Sequence, residues 1–240
     1  MSDTHKRDDN FLAISILVAA ILISGSVIYS FGIKNQNPQT ADLEEAAKEA
    51  IGALDKPQID DNVILGDANA SLTVFIFSDY QCPFSEKFYQ EAESQIRENY
   101  VKTGKVNMVH KDLAFLGQES ADAAQAVNCA KDQGKYWDYH DAIFEVEGQE
   151  AKKIGNSENT GNLNRDTFKE IAANLEMNTN DFLSCFDSKK YASEIEKDLN
   201  EARTVLSQMS TPTIVIGSKI IQGAYPYATF SQAIDEELKK

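Results

Sequence analysis

One segment of the chain combines residue types suited to nucleophilic chemistry: Cys82-Pro83-Phe84-Ser85. It follows the apolar run Thr73-Val74-Phe75-Ile76-Phe77 and the polar Ser78-Asp79-Tyr80-Gln81, and it opens a series spaced by four: Phe84, Phe88, Ala92, Ile96 and Tyr100. The run reads as a buried central strand and the series as a helix. Pro83 suits the first helical position, because its missing N–H would have been an orphan donor there. Cys82 therefore falls at a helix N-terminus, where free backbone N–H groups and the macrodipole favour thiolate over thiol. The thiolate is the nucleophile of thiol–disulfide exchange. An inert buried cysteine is the alternative, and the polar residues before Cys82 count against it.

The elements that must position this segment follow from the periodicity on either side. Val63-Ile64-Leu65 reads as a short strand before a turn at Gly66–Asn69, and a further strand runs from Val106 to His110. From about 117 to 207 the pattern is helical. It includes an Ala-rich stretch through Cys129, the aromatic cluster Tyr136–His140, a polar and mobile loop over Gly148–Asn164, and a long helix with Tyr191, Ile195, Leu199, Ala202 and Leu206. The chain returns to strand at Thr213–Ile216, turns at Gly217-Ser218, pairs back through Lys219–Ile221 and ends in a helix carrying Phe230, Ala233, Ile234 and Leu238. This order predicts an α/β fold with a small mixed sheet flanked by helices and an inserted helical domain.

The chain has 240 residues, with 23 Lys and Arg against 38 Asp and Glu, a net charge of -15. So acidic a surface disfavours nucleic-acid binding and close contact with anionic lipid. Phe11–Ile33 contains no charged residue and is long enough to span a hydrocarbon core of about 30 Å as a helix. Lys6 and Arg7 precede it and acidic residues follow, which predicts an N-inside orientation. The reading is a cytoplasmic tail (1–10), an uncleaved transmembrane anchor (11–33), an acidic linker with a short helix (34–61) and a folded domain (62–240) outside the cytoplasm. A cleaved signal peptide is the alternative, though the apolar run exceeds the usual signal core and lacks a clear small-x-small site.

The segments Val63–Ala70, Phe77–Phe84, Asn128–Phe144, Thr211-Pro212-Thr213 and Ile221-Gln222-Gly223-Ala224 occur in an order that resembles the DsbA-like branch of the thioredoxin superfamily. The resemblance spans about 62 to 238. It implies a thioredoxin fold with a helical insertion, action on protein thiols or disulfides, and a cis peptide at Thr211-Pro212 beside the reactive cysteine. It also implies that Thr211 and Pro212 bind the substrate backbone, with Pro83 and Phe84 at the same surface. Some thioredoxin-fold enzymes carry a buried acid six residues before the cysteine. Ile76 stands there, so that proton acceptor is not expected.

The departure from the family lies at Ser85, where the pattern has a second cysteine. A serine hydroxyl does not attack a disulfide usefully at neutral pH, so a mixed disulfide at Cys82 has no resolving thiol at the usual place. Four readings follow: a monothiol exchange or isomerase-like enzyme, a redox-silent peptide-binding module, a serine substitution that traps a dithiol enzyme, and an iron–sulfur carrier. The last ranks lowest, because the Cys-Gly-Phe-Ser of monothiol glutaredoxins is not matched and the helical insertion is foreign to that family. Cys129 and Cys185 are candidates for a structural disulfide, which an oxidising compartment would favour and which would stabilise the fold by about 4 kcal/mol. Two separate buried thiols are the alternative. His5, His110 and His140 form no metal-ligand spacing, and His140 reads as a packing residue.

The resulting expectation is extracytoplasmic thiol–disulfide exchange with protein substrates. Cys82 is the nucleophile, Ser85 lines the site, and a small-molecule thiol or a membrane redox partner completes the cycle. No metal or dissociable cofactor is expected. Asp79 reads as a turn residue, and Tyr80, Gln81 and Phe84 as neighbours of the substrate.

Overall fold

The computed structural model describes residues 56–240. The expected tail and anchor, with most of the acidic linker, lie outside the described residues. Among the described residues no helix is long and apolar enough to cross a membrane. Five strands, β1 (Ile64–Leu65), β2 (Thr73–Ser78), β3 (Asn107–Asp112), β4 (Thr213–Ile216) and β5 (Lys219–Gln222), form one sheet in the order β1-β3-β2-β4-β5. β2 and β3 are parallel, which demands a crossover; β1 on β3, β4 on β2 and β5 on β4 are antiparallel.

The crossover is the helix that Pro83 opens, here α1. Its spacing of four exceeds the 3.6 residues of an α-helical turn, so in a strict α-helix the apolar stripe would drift around the surface. The helix avoids this by alternating α segments (Pro83–Phe88, Ser94–Ile96) with wider π turns (Tyr89–Glu93, Arg97–Val101). Phe88, Ala92, Ile96 and Tyr100 consequently all remain buried, packed with Val74, Ile76 and Met108 of the sheet and with the C-terminal helix. Phe84 alone leaves the stripe and is exposed.

The remaining helices are α2 (Gln118–Lys131), α3 (Tyr136–Ile154), α4 (Arg165–Asn174), α5 (Thr179–Asp187), α6 (Ala192–Val205) and the C-terminal α7 (Tyr227–Glu237). α1 and α7 cover one face of the sheet. Ala202, Val205 and Leu206, in and just after α6, cover Phe75, Phe77, Val109 and Val215 on the other. The insertion has its own core of Tyr139, Ile143, Phe144, Phe168 and Phe182, which Tyr80 enters from the loop after β2. Cys129 of α2 and Cys185 of α5 are joined by a disulfide, with Cα atoms 5.8 Å apart and a sequence separation of 56.

Two sequence expectations are corrected. The segment from Gly148 is not loop: α3 runs on to Ile154 and ends at Gly155, whose φ of 78° suits a glycine cap. Gly148 sits inside the helix because α1 passes close to it; a Cβ there would lie 2.5 Å from Glu86 Oε1 and 2.7 Å from Gln90 Nε2. β3 likewise does not stop at His110 but continues through Lys111 and Asp112, both buried. The Lys111 charge is met from α6, its Nζ lying 3.0 Å from Asp198 and 2.9 Å from Glu201, while Asp112 Oδ2 accepts from Asn128 Nδ2 of α2 at 2.6 Å.

Replacing Cys129 and Cys185 together by alanine is expected to lower the unfolding free energy by about 4 kcal/mol in urea melts, from loop-closure entropy. A loss below about 1 kcal/mol would mean that the crosslink contributes little to the insertion.

Candidate active site

Cys82 is the N-cap residue of α1, in extended conformation at φ -80° and ψ 119°, followed by Pro83 at the first helical position. Its carbonyl accepts from Glu86 N at 3.1 Å, closing the first turn, and its own N–H donates to Asp79 O at 3.1 Å. The thiol is free and only 7% exposed. Its Sγ donates to the carbonyl oxygen of Thr211 at 3.4 Å. The Thr211-Pro212 peptide is cis, and Pro212 O accepts from Gly223 N at 2.8 Å, tying this loop to the end of β5. The structure thus brings Cys82, Thr211 and Pro212 together from chain segments about half the molecule apart in sequence.

Ser85 lies on the inner side of α1, 1% exposed, and its hydroxyl has no hydrogen-bond partner among the described residues. Pro83 and Phe84 face outward, Phe84 being 63% exposed. Phe115, in the loop after β3, is also exposed. Tyr80 and Gln81 do not border the substrate surface as expected from sequence. Both are buried, with Tyr80 packed against His110, His140 and Phe144. Burial pushes the Tyr80 phenol well above its ordinary pKa and holds the His110 imidazole well below its own. Both rings are therefore neutral packing elements, and His140 packs with them.

The loop before the thiol is held by hydrogen bonds that sequence reasoning missed. Asp79 Oδ1 accepts from Gln81 N at 2.9 Å, the turn role expected for it. Its Oδ2 additionally accepts from Phe115 N at 3.0 Å and Leu116 N at 3.1 Å. Burial raises the Asp79 carboxyl pKa, and these bonds oppose the rise. Gln81 donates Nε2 to Glu147 Oε2 of α3 at 2.9 Å and accepts from Asn159 N, so its amide is engaged on both sides. Nothing local marks Gln81 or Glu147; only the helical continuity of α3 past Gly148 could have indicated that Glu147 turns inward.

Ile76 occupies the position beneath the site where an acid was not expected, and it is core. Among the described residues no cluster of three or more His, Cys, Asp or Glu could hold a metal. The arrangement is that of a thiol-bearing thioredoxin-fold domain: one cysteine at the mouth of the crossover helix, facing a cis-proline loop, with a helical domain inserted after β3. A family model described as Thioredoxin matches residues 58–236, and the chain belongs to that family.

Among curated proteins, the chain is similar to disulfide bond formation protein D of Bacillus subtilis, 27% identical over 197 residues, covering 81% of this chain and 84% of that one. It is 20% identical over 240 residues to a probable disulfide bond formation protein D of Bacillus anthracis, covering 98% and 100% of the two chains. Among solved structures, oxidised BdbD from Bacillus subtilis superposes with a TM-score of 0.68 at 26% identity, covering 77% of this chain and 97% of that one. The α-DsbA1 of Wolbachia pipientis shares the fold, with a TM-score of 0.64 at 20% identity over 76% and 93% of the chains. The DsbA-like resemblance read from the sequence is thereby shown.

Replacing Asp79 by alanine would leave three backbone N–H groups near the thiol without their acceptor. The expected cost is about 3 kcal/mol of stability, measured by urea unfolding. A cost near zero would mean that the loop finds other partners.

Proposed function

We propose that this protein carries out thiol–disulfide exchange on protein substrates through one nucleophilic cysteine, Cys82, in a domain held outside the cytoplasm. The observation that carries this reading is the pairing of a free thiol at the N-terminus of α1 with the carbonyl of Thr211 in the cis-proline loop, while the buried position three residues on is a hydroxyl, Ser85. The names of the Bacillus relatives, disulfide bond formation proteins, point to the same chemistry.

The exchange balances without a cofactor. The Cys82 thiolate attacks one sulfur of a substrate disulfide; a new S–S bond forms, the old one breaks, and the second substrate sulfur leaves as thiolate. An outside thiolate, from the same substrate, another protein or a small molecule, then attacks the substrate sulfur of the mixed disulfide and regenerates Cys82. When both thiols come from one substrate the net result is isomerisation. Thr211 and Pro212 would hold the substrate backbone against the thiol. Pro83 and Phe84 offer apolar surface beside it, suited to an unfolded segment.

Location outside the cytoplasm, with Phe11–Ile33 as membrane anchor, is supported by the charge pattern of the N-terminal sequence and by the Cys129–Cys185 disulfide, which suits an oxidising compartment.

The test compares three forms of the protein on a scrambled and on a reduced substrate. The natural chain is expected to rearrange the scrambled substrate but not to oxidise the reduced one stoichiometrically in the absence of added disulfide. Cys82→Ala should abolish exchange, and Ser85→Cys, prepared with a Cys82 disulfide to the new thiol, should oxidise one equivalent of reduced substrate while its own disulfide is reduced to two thiols. Unchanged behaviour of Cys82→Ala would overturn the reading and leave a redox-silent peptide-binding module.

A further inference from the structure

Gln81 and Glu147 are both fully buried, and they belong to different halves of the molecule: Gln81 immediately precedes Cys82, and Glu147 is on α3 of the insertion. Glu147 Oε2 accepts from Gln81 Nε2 at 2.9 Å and its Oε1 from Asn162 Nδ2 at 2.6 Å. Gln81 Oε1 in turn accepts from Asn159 N, and Asn159 Nδ2 donates to Leu116 O at 3.0 Å, in the loop whose N–H groups bind Asp79. Three loops, 79–82, 113–117 and 155–164, are therefore hydrogen-bonded to one another behind Cys82, and the Glu147 carboxyl is the group on which two of them meet.

We propose that Glu147 is a positioning residue for the chemistry of Cys82: through Gln81 it fixes the loop that carries the thiol, so that the helical insertion sets the placement of the nucleophile. The inference rests on the reading of Cys82 as nucleophile.

The charges facing this carboxyl make the coupling visible in pH. From α2 comes Glu119, whose carboxylate holds Gly161 N at 2.9 Å and Leu163 N at 3.2 Å. From α3 itself comes Glu150. α1 carries Glu86 beside Gly148, the next residue along α3, with Lys152 acting on Glu86, and the thiol loop carries Asp79, whose Oδ1 accepts from Gln81 N. Among the described residues no Lys, Arg or His forms an ion pair with Glu147. Burial pushes its carboxyl up to about 8, the Asn162 and Ser157 bonds opposing and Glu119 and Glu150 adding repulsion. The group thus changes charge within the pH range over which thiol alkylation is followed. Its folded pKa lies above the ordinary 4.5, so the stability it contributes is fully present below that value and is lost as pH rises through about 8.

The measurement is the rate of Cys82 alkylation by iodoacetamide against pH on the full-length protein, read by peptide mass spectrometry. The natural protein is expected to give a profile wider than one proton release, because ionisation of the Glu147 carboxyl disturbs the loop that Gln81 joins to Cys82. Glu147→Gln should narrow it to a single release and remove the loss of folding stability between pH 5 and about 8. Glu147→Ala, which breaks the clamp, should slow alkylation at pH 7 about tenfold. Should the position-147 variants fold poorly, Asn162→Ala leaves the Gln81–Glu147 bond in place while removing the opposing hydrogen bond, together with the Thr160 Oγ1 bond to Asn162 Oδ1, and should move the Glu147 inflection to higher pH. Superimposable profiles for the natural protein and Glu147→Gln, or for the natural protein and Asn162→Ala, overturn the proposal while leaving Cys82 as nucleophile. A thiol that labels only after denaturation overturns the nucleophile reading itself, and the proposal with it.

Discussion

Among the buried side chains just before Cys82, Asp79 and Gln81 carry a carboxylate and an amide, and a buried polar group costs free energy unless it is hydrogen-bonded. Most of the surroundings of the thiol are consequences of that constraint. Asp79 requires donors, and the N–H groups of Phe115 and Leu116 supply them, which fixes where the chain goes after β3. Gln81 requires an acceptor and a donor, and Glu147 and Asn159 supply them, which draws the end of α3 and the loop after it to the site. The loop that carries the Cys82 thiol is held in place by the satisfaction of these groups.

The insertion could do this only if it were itself anchored to the sheet. One anchor is apolar, the contact of Ala202, Val205 and Leu206 with the sheet face formed by Phe75, Phe77, Val109 and Val215. The other is ionic. Lys111 is fully buried between Asp198 and Glu201; burial alone would lower its pKa, but these carboxylates hold it above the ordinary value. The neighbouring Asp112 is pushed well above the usual carboxylate range by burial and by Asp198, while Asn128 of α2 donates to its Oδ2. A pair of this kind adds little net stability over an apolar pair, yet removing one partner leaves a buried charge, at a cost of about 3–5 kcal/mol. It therefore fixes the register of α6 on β3 more than it strengthens the fold.

These two features also mark the boundary of what the sequence made legible. The strand at Thr73–Ser78, the helix opened by Pro83 and the β4–β5 hairpin follow from local periodicity and turn chemistry, and the DsbA-like motifs linked Cys82 to Thr211 and Pro212 across more than a hundred residues. The end of β3 beyond His110 was not legible, because Lys111 and Asp112 are charged and nothing local places α6 opposite them. The continuation of α3 through Gly148 was hidden for a related reason: a glycine in a polar stretch signals a loop, whereas here it admits α1 at close range. Tyr80 and Gln81 were assigned to the substrate surface by their nearness to Cys82 in sequence. Direction of a side chain in a loop has no periodicity to read, and both turn inward.

Substituting Ser85 for the second thiol changes which groups limit the proposed cycle. In a dithiol site, the resolving step is intramolecular and depends on the geometry of one helical turn. With one thiol, resolution is bimolecular and depends on how an outside sulfur reaches the mixed disulfide, which makes the placement of Cys82 relative to its surroundings the controlling variable. Cys82 is 7% exposed, and its sulfur contacts the Thr211 carbonyl of the cis-proline loop. Small displacements of so confined a sulfur change the approach angle of every attacking thiolate, and such misplacement is costly to rate. The clamp from Asp79 through Gln81 to Glu147 acts on that one coordinate, so in this reading the loss of the second cysteine shifts the demand for precision from the helix turn to the loop behind it.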